Sequence, residues 1–372
     1  MHEKHPTISR PDIGHFNRNE FAFLGAPCGL IQTLQQNLIA SLGSQLRIGI
    51  VDADHGDGED HSAQAKPDRV YTDKITSHRL DFHGDWSVHQ YRMWFNDQDV
   101  VLVNGNHFQS ARQIVIIDSR KRESLERKLD RLTDVCLFLL GDGQEDIWPF
   151  LREHIPHADQ IPVLRLSDTH SVAEWLGSHI QKPPLKGLVL AGGKSTRMGR
   201  DKGELNFYGK PQREYMADLL EPHCREVFLS VRAGQQVPSS HQLIEDSFIG
   251  LGPFGALLSA FRNDPDAAWL VVACDLPLLN ADTLRQLING RNPSKVATSF
   301  RSPVNGFPEP LVAIWEPKAY LHALAFMAQG YSCPRKVLIN TDICLLEAAD
   351  ASALTNVNTP EDLAALQGKD GK

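Results

Sequence analysis

The sequence predicts an α/β protein built as two three-layer α/β/α units joined by a short, stiff linker. Three observations carry this expectation. Short apolar runs that read as buried strands alternate with amphipathic segments of helical period, which argues for mostly parallel sheets covered on both faces. The chain has 372 residues, room for two or three domains. Its one conspicuous break, Gln181-Lys182-Pro183-Pro184, follows a helical segment, and consecutive prolines stop a helix and stiffen a connection. We place the boundary at 182–185, giving domains at 20–181 and 186–368, with a polar lead-in at 1–19 and a frayed tail from Gly368.

Taken in order, Phe21-Ala22-Phe23-Leu24 is a short strand, Gly25 to Leu34 follows it, and then a helix runs to about Leu42. Residues 171–180 read as the helix that the prolines end. In the second half the spacing predicts strands at 187–191, 226–231, 268–274, 295–300, 311–315 and 343–346. Helices are expected between them at 211–222, 254–263, 281–289, 317–328 and 360–367. In such sheets ligands sit at the carboxyl ends of the strands.

Composition narrows the function. Apolar content of 41% and charged content of 23% are those of a soluble globular chain. No apolar run approaches the roughly 20 residues that span a bilayer, and Met1 to Pro6 lacks the apolar core of a secretory signal. Six scattered cysteines with no Cys-x-x-Cys pair argue against a zinc ribbon or a disulfide framework, and fit a reducing cytoplasm. The net charge is −8, yet Lys194 to Lys210 carries five Lys/Arg against two acids, a local +3. Positive charge gathered on one loop of an acidic chain points to a small anionic ligand rather than to nucleic acid or a membrane.

That loop is the most informative stretch. Gly187-Leu188-Val189-Leu190 reads as a buried strand, and Ala191-Gly192-Gly193-Lys194-Ser195-Thr196-Arg197-Met198-Gly199-Arg200-Asp201-Lys202 follows it. A strand feeding a glycine-rich, cationic loop sets backbone N–H groups beside positive side chains, which is what triphosphate oxygens need once they leave water. The run has neither P-loop nor dinucleotide-fingerprint spacing. It resembles the Leu-Ala-Gly-Gly-x-Ser-x-Arg-Met-Gly-x-Asp-Lys signature of nucleotidyltransferases, and among them it is most similar to the molybdenum cofactor guanylyltransferases.

The resemblance covers about 186–368 and implies a Rossmann-like nucleotidyltransferase domain. It implies that Leu190, Ala191, Gly192, Gly193 and Lys202 hold the nucleotide, and that Arg197, Lys202 and Asp275 are catalytic, with Asp275 in a Cys-Asp-x-Pro element as the ligand of Mg2+. A carboxylate at the end of the apolar strand Trp269 to Cys274 would face the ligand crevice. Asp246 and Gly252 would grip base and ribose, since a carboxylate can accept from both N–H groups of a guanine edge. Asn356 and Asn358, in Asn-Val-Asn-Thr-Pro-Glu, and the basic pair Arg335-Lys336 would line the pterin side. Two departures stand out: Arg232 where an Asn is usual, and Glu309 where many members have His.

The implied substrates are GTP and molybdopterin or its molybdenum-bound form. The partners left open are molybdoenzyme apoproteins and other cofactor-biosynthesis proteins. A cytidylyltransferase making the cytosine dinucleotide is the nearest rival enzyme, with a sugar-phosphate nucleotidyltransferase ranking lower, and a non-catalytic cofactor carrier is the rival of another class.

The first half has the setting of a P-loop without its chemistry. A working loop would need Gly, Lys and Ser/Thr at 30, 31 and 32, and the chain has Leu30, Ile31 and Gln32. It resembles the molybdopterin-guanine dinucleotide biosynthesis adaptor, with Asn104 where that family's Walker-B-like strand carries an acid. We expect a degenerate adaptor domain without NTPase activity. The acidic run Asp52 to His61 fails the EF-hand template and is expected to be a solvated loop.

Overall fold

The computed structural model describes residues 14–53, 69–82, 88–191, 202–206 and 208–357. The chain divides into two compact units, Met1–Gln181 and Lys182–Lys372.

The first unit runs β1 (Glu20–Leu24), α1 (Cys28–Leu42), β2 (Ile48–Val51), β3 (Arg69–Asp73), β4 (His78–Phe82), α2 (Val88–Trp94), β5 (Val100–Asn104), β6 (Arg112–Ile117), α3 (Arg122–Glu126), β7 (Val135–Leu140), α4 (Pro149–His154), β8 (Val163–Arg165) and α5 (Thr169–Ser178). Its main sheet has the order β2-β5-β1-β6-β7-β8 and is parallel throughout, while β3 and β4 pair apart as an antiparallel hairpin. Successive residues of a strand point to opposite faces. Accordingly Phe21 and Phe23 enter one core with Leu34 and Leu38 of α1, and Ala22 and Leu24 enter the other with Val101 and Val103. Helix α5 starts two residues before the sequence reading, because the Asp168 carboxylate accepts the Ser171 N–H and caps it.

The second unit runs β9 (Leu185–Leu190), α6 (Gln212–Leu220), β10 (Val227–Val231), β11 (Gln242–Glu245), α7 (Pro253–Asn263), β12 (Ala268–Ala273), α8 (Ala281–Asn289), β13 (Ala297–Arg301), β14 (Pro308–Trp315), α9 (Lys318–Ala328), α10 (Pro334–Ile339) and β15 (Cys344–Leu346). The sheet order is β11-β10-β9-β12-β14-β13-β15, parallel except for β14, which runs antiparallel to both neighbours. Leu188, Trp269, Val271 and Trp315 bury against α7 and α9 on one face; Val189, Leu270, Val272 and Ile314 bury against α6 and α8 on the other. This is the α/β three-layer class that the alternation predicts.

Three local differences matter. Strand β14 begins at Pro308, three residues before the predicted start, because proline is tolerated at a strand's first residue. The strand β11 and the short helix α10, which starts on Pro334, were not expected at all. Their cause is legible afterwards: the β11 sequence is mostly exposed at the sheet edge, so it lacks the apolar run of a central strand. The expected helix at 360–367 lies outside the described residues. All six cysteines are free.

Candidate active site

Connectivity locates the site. The chain leaves β9 toward β10 and β11 on one side, then crosses to β12 on the other. The reversal puts a crevice at the carboxyl ends of β9 and β12, where open α/β sheets bind ligands. The register pairs Leu190 with Ala273 and, on the other flank, with Ser230. Leu190 therefore ends the central strand at the crevice, and Ala191, buried, donates its N–H to the Ser230 carbonyl at 3.1 Å.

Gly192, Gly193 and Arg197 lie outside the described residues, as do Asn358 and the Lys202 side chain. The Lys202 backbone opens a 3-10 turn, Lys202–Glu204. A residue that sequence reasoning missed ties this return segment down. The Tyr208 hydroxyl donates to the Pro277 carbonyl at 2.6 Å, and its ring stacks on Tyr215 at 4.1 Å between centroids. The segment that follows the glycine loop is thus held against the loop that follows Asp275.

Asp275 sits two residues past the end of β12. Its carbonyl accepts the Val357 N–H at 2.8 Å, which draws the neighbouring Asn356 to the same place. The two line a cavity of about 60 Å3 together with Glu309, Arg335, Val312 and Leu354. Three of the sequence-predicted residues, Asp275, Arg335 and Asn356, are therefore gathered from segments up to 81 positions apart in the chain. Glu309, singled out by sequence only as a departure, stands among them. The Arg335 Nη2 donates to Glu309 Oε2 and its Nε to the Pro308 carbonyl, both at 3.2 Å. Lys336 is directed elsewhere: its ammonium lies 4.8 Å from the Tyr331 ring centroid and does not line this cavity.

Asp246 and Gly252 occupy the β11 end of the same carboxyl edge. The Asp246 N–H donates to the Val231 carbonyl at 2.9 Å, and Asp246 Oδ1 accepts from the Ser230 hydroxyl at 3.2 Å. Burial pushes the Asp246 carboxyl above its ordinary range, and the Ser230 hydrogen bond only partly offsets this. Gly252 has φ +57° and ψ −137°, a backbone that side chains rarely adopt, and it releases the chain into Pro253 at the first turn of α7. One turn on, a Cβ at Gly255 would collide with the Phe248 carbonyl, so glycine is needed there for close packing. Arg232 turns onto Gln235, its Nε 3.1 Å from the Gln235 Oε1.

The donor set suits a hard cation. Asp275 offers carboxylate oxygens and Asn356 an amide oxygen at the switch point, and Mg2+ takes one or two such protein ligands, completing its shell with water and phosphate oxygens.

In the first unit, the carboxyl edge of β2, β5 and β1 is the corresponding place. The register Val51 with Val103 makes Asp52 and Asn104 the next lateral neighbours. Asn104, fully buried, donates its amide to Asp52 Oδ1 at 2.7 Å, and Gln32 donates to Asp52 Oδ2 at 3.0 Å. Burial would raise the Asp52 carboxyl, but hydrogen bonds from Gln32, the Ala53 N–H and Asn104, with His107 nearby, hold it below its ordinary range. Asp52, partly exposed just past β2, is a hydrogen-bond acceptor at the start of that acidic run; the remainder, from Asp54, lies outside the described residues.

Comparison with known proteins adds the following. Residues 187–354 match the family model described as MobA-like NTP transferase domain. A molybdenum cofactor guanylyltransferase of Pseudomonas putida is 31% identical over 192 residues, covering 49% of this chain and 96% of that one. A molybdenum cofactor biosynthesis bifunctional protein of Synechocystis is 36% identical over 186 residues, and this chain spans about half of its length, 54%. The solved structure of a molybdopterin-guanine dinucleotide biosynthesis protein A from Archaeoglobus fulgidus is 21% identical, with a TM-score of 0.42 over 50% of this chain and 98% of that one. Among the described residues no helix is long and apolar enough to cross a membrane.

Proposed function

The chain belongs, through residues 187–354, to the MobA-like NTP transferase family, and from that premise we propose that it transfers GMP from GTP to molybdopterin. A terminal phosphate oxygen of molybdopterin, free or molybdenum-bound, attacks the α-phosphorus of GTP. The bond to the β-phosphate oxygen breaks, pyrophosphate leaves, and the guanine dinucleotide forms. No protein nucleophile is needed, so the chain's work is positioning and charge neutralisation.

The observation that carries this reading is the cavity itself. Asp275, Arg335 and Asn356 converge from three separate segments on the topological switch point, beside the end of the strand that bears the glycine-rich motif. Asp275 and Asn356 would hold Mg2+, which supplies positive charge to the phosphate oxygens when bound. Arg335 faces the acceptor phosphate, Lys202 and Arg197 neutralise the triphosphate, and the backbone of Leu190 to Gly193 grips the nucleotide. Asp246 accepts from the guanine edge, with Gly252 closing on the ribose. The reaction belongs in the cytoplasm.

For the first unit we propose an adaptor that presents or receives the cofactor without hydrolysing nucleotide. Helix α1 begins at Cys28, and the Pro27 carbonyl takes the N–H groups of Leu30 and Ile31 at 2.9 and 3.1 Å. Those amides are unavailable to a phosphate.

The test incubates the full chain with molybdopterin, Mg2+ and each NTP separately, and identifies the dinucleotide. The guanine product with GTP is expected. The cytosine product with CTP would make it a cytidylyltransferase, and no product with any NTP would leave only the carrier role.

A further inference from the structure

The contact between Glu309 and Arg335 has the form of an occupied anion site. An arginine has five N–H donors in a planar fork that matches a carboxylate and a phosphate equally well. Here Nε is taken by the Pro308 carbonyl and Nη2 by the Glu309 carboxylate. The charged side chains lining the cavity are Asp275, Glu309 and Arg335, a sum of −1. A phosphate monoester that approaches Arg335 therefore meets the Glu309 carboxylate as a direct competitor for the same guanidinium. The pair is also built to open. Its side chains are 35% and 20% exposed, so the Glu309 carboxylate can turn to water without the cost of stranding a buried charge. The Arg291–Glu316 pair is the opposite case: Glu316 is 0% exposed, and Arg291 holds it with two hydrogen bonds at 2.7 and 2.9 Å.

We propose that Glu309 is an internal stand-in for the acceptor substrate's phosphate: its carboxylate occupies Arg335 in the resting protein, and the incoming phosphate monoester displaces it. Glu309 is then a positioning residue. It keeps the guanidinium in place between turnovers and weakens the binding of free phosphate, so that only a substrate with further contacts competes. This rests on the reading of the cavity as the acceptor side of a nucleotidyltransferase.

The test measures binding of inorganic phosphate to the full chain by calorimetry, with thermal denaturation as the check on folding. Glu309→Gln keeps an acceptor for Nη2 and removes the charge. It should bind phosphate roughly tenfold more tightly, the scale of one partly screened charge contact. Adding Arg335→Ala should abolish that gain, and Glu309→Asp, which keeps the charge, should stay close to the wild-type affinity. In turnover, Glu309→Gln should lower the KM for molybdopterin without a matching rise in kcat. Unchanged or weaker phosphate binding by a folded Glu309→Gln protein overturns the proposal, as does a gain that survives Arg335→Ala. If Glu309→Gln does not fold, weaker binding in Glu309→Asp than in the wild type overturns it alone. If the variants show this phosphate pattern while the wild-type chain forms no dinucleotide, the enzymatic reading is refuted and the exchange of anions stands.

Discussion

The Asn104 amide donates to the Asp52 carboxylate at 2.7 Å, across the carboxyl edge of two adjacent parallel strands. Gln32 reaches the same carboxylate from α1 at 3.0 Å. These are the two positions where a P-loop protein would carry a metal-binding acid and hydroxyl. Their amides cannot replace those ligands, but they satisfy a carboxylate that would otherwise lie close to a buried polar side chain.

Removing the acceptor should therefore cost stability and not activity. Asp52→Ala leaves the buried Asn104 amide without its partner, a loss of about 1–3 kcal/mol. Because the folded carboxyl is held below its ordinary value, its stabilisation is present above the unfolded value of about 3.9 and is lost as pH falls through the lower folded one. Urea denaturation of wild type and variant across that acidic window is the check. Equal stability at neutral pH would show that this hydrogen bond carries no weight.

The Lys202 and Asp275 assignments predict large kinetic effects. Lys202→Ala should lower kcat by ~10²-fold or more, the usual scale for a lost electrostatic donor. Asp275→Asn should do comparable damage and shift the Mg2+ dependence to higher concentration. Pyrophosphate release at near-normal rates from both folded variants would remove these residues from the reaction.

Asp246 makes base recognition pH-dependent. If its carboxylate accepts from the guanine edge, the KM for GTP should rise as pH falls through a value above the ordinary carboxylate range, because burial has raised that group. The sign for stability is the reverse: the charged form is the disfavoured one in the fold, so a penalty accrues as pH rises through that window and persists at neutral pH. Asp246→Asn should thus lose discrimination of GTP from CTP by one to two decades, given roughly 1–3 kcal/mol for an unpaired polar partner, while stability at pH 7 does not fall. An unaltered GTP/CTP ratio would move base recognition elsewhere, with Arg232 the next residue to replace.

The thiols should divide by burial. Cys136 and Cys224 are pushed up to about 12 by desolvation, so at pH 8 only ~10⁻⁴ of each is thiolate. Cys333 is exposed. Mass spectrometry after brief alkylation of the native chain should find Cys333 modified well before the other two; prompt labelling of Cys136 would contradict the partial burial of its thiol in β7.

The pair Arg291–Glu316 should be a large stability determinant of the second unit. Arg291→Ala strands a fully buried carboxylate, which costs about 3–5 kcal/mol, and it also frees the Pro183 carbonyl that Arg291 Nη2 holds at 2.9 Å. A lowered denaturation midpoint is expected, and a change under 1 kcal/mol would be inconsistent with an uncompensated charge.

Much of this protein was legible in one dimension. The alternation of Leu188-Val189-Leu190 and Trp269 to Ala273 with helical segments determined the three-layer class, because apolar runs of that length can be satisfied only inside a covered sheet. The glycine-rich motif after Leu190 pointed to the family, and Leu30, Ile31 and Gln32 stand where a working P-loop would need Gly, Lys and Ser/Thr. Two further contacts were decided by the tertiary structure alone. Glu309 reads in sequence as a mismatch before a proline; only the antiparallel entry of β14 beside β12 and the docking of α10 bring it onto Arg335 and into the Asp275 cavity. Asp52 reads as the first residue of an acidic loop; only the register of β2 on β5 sets it against Asn104. The physical reason is common to both. Local sequence records propensity and periodicity, whereas a charge pair or a hydrogen bond between distant segments depends on strand order and register, which are set by how the whole apolar core packs.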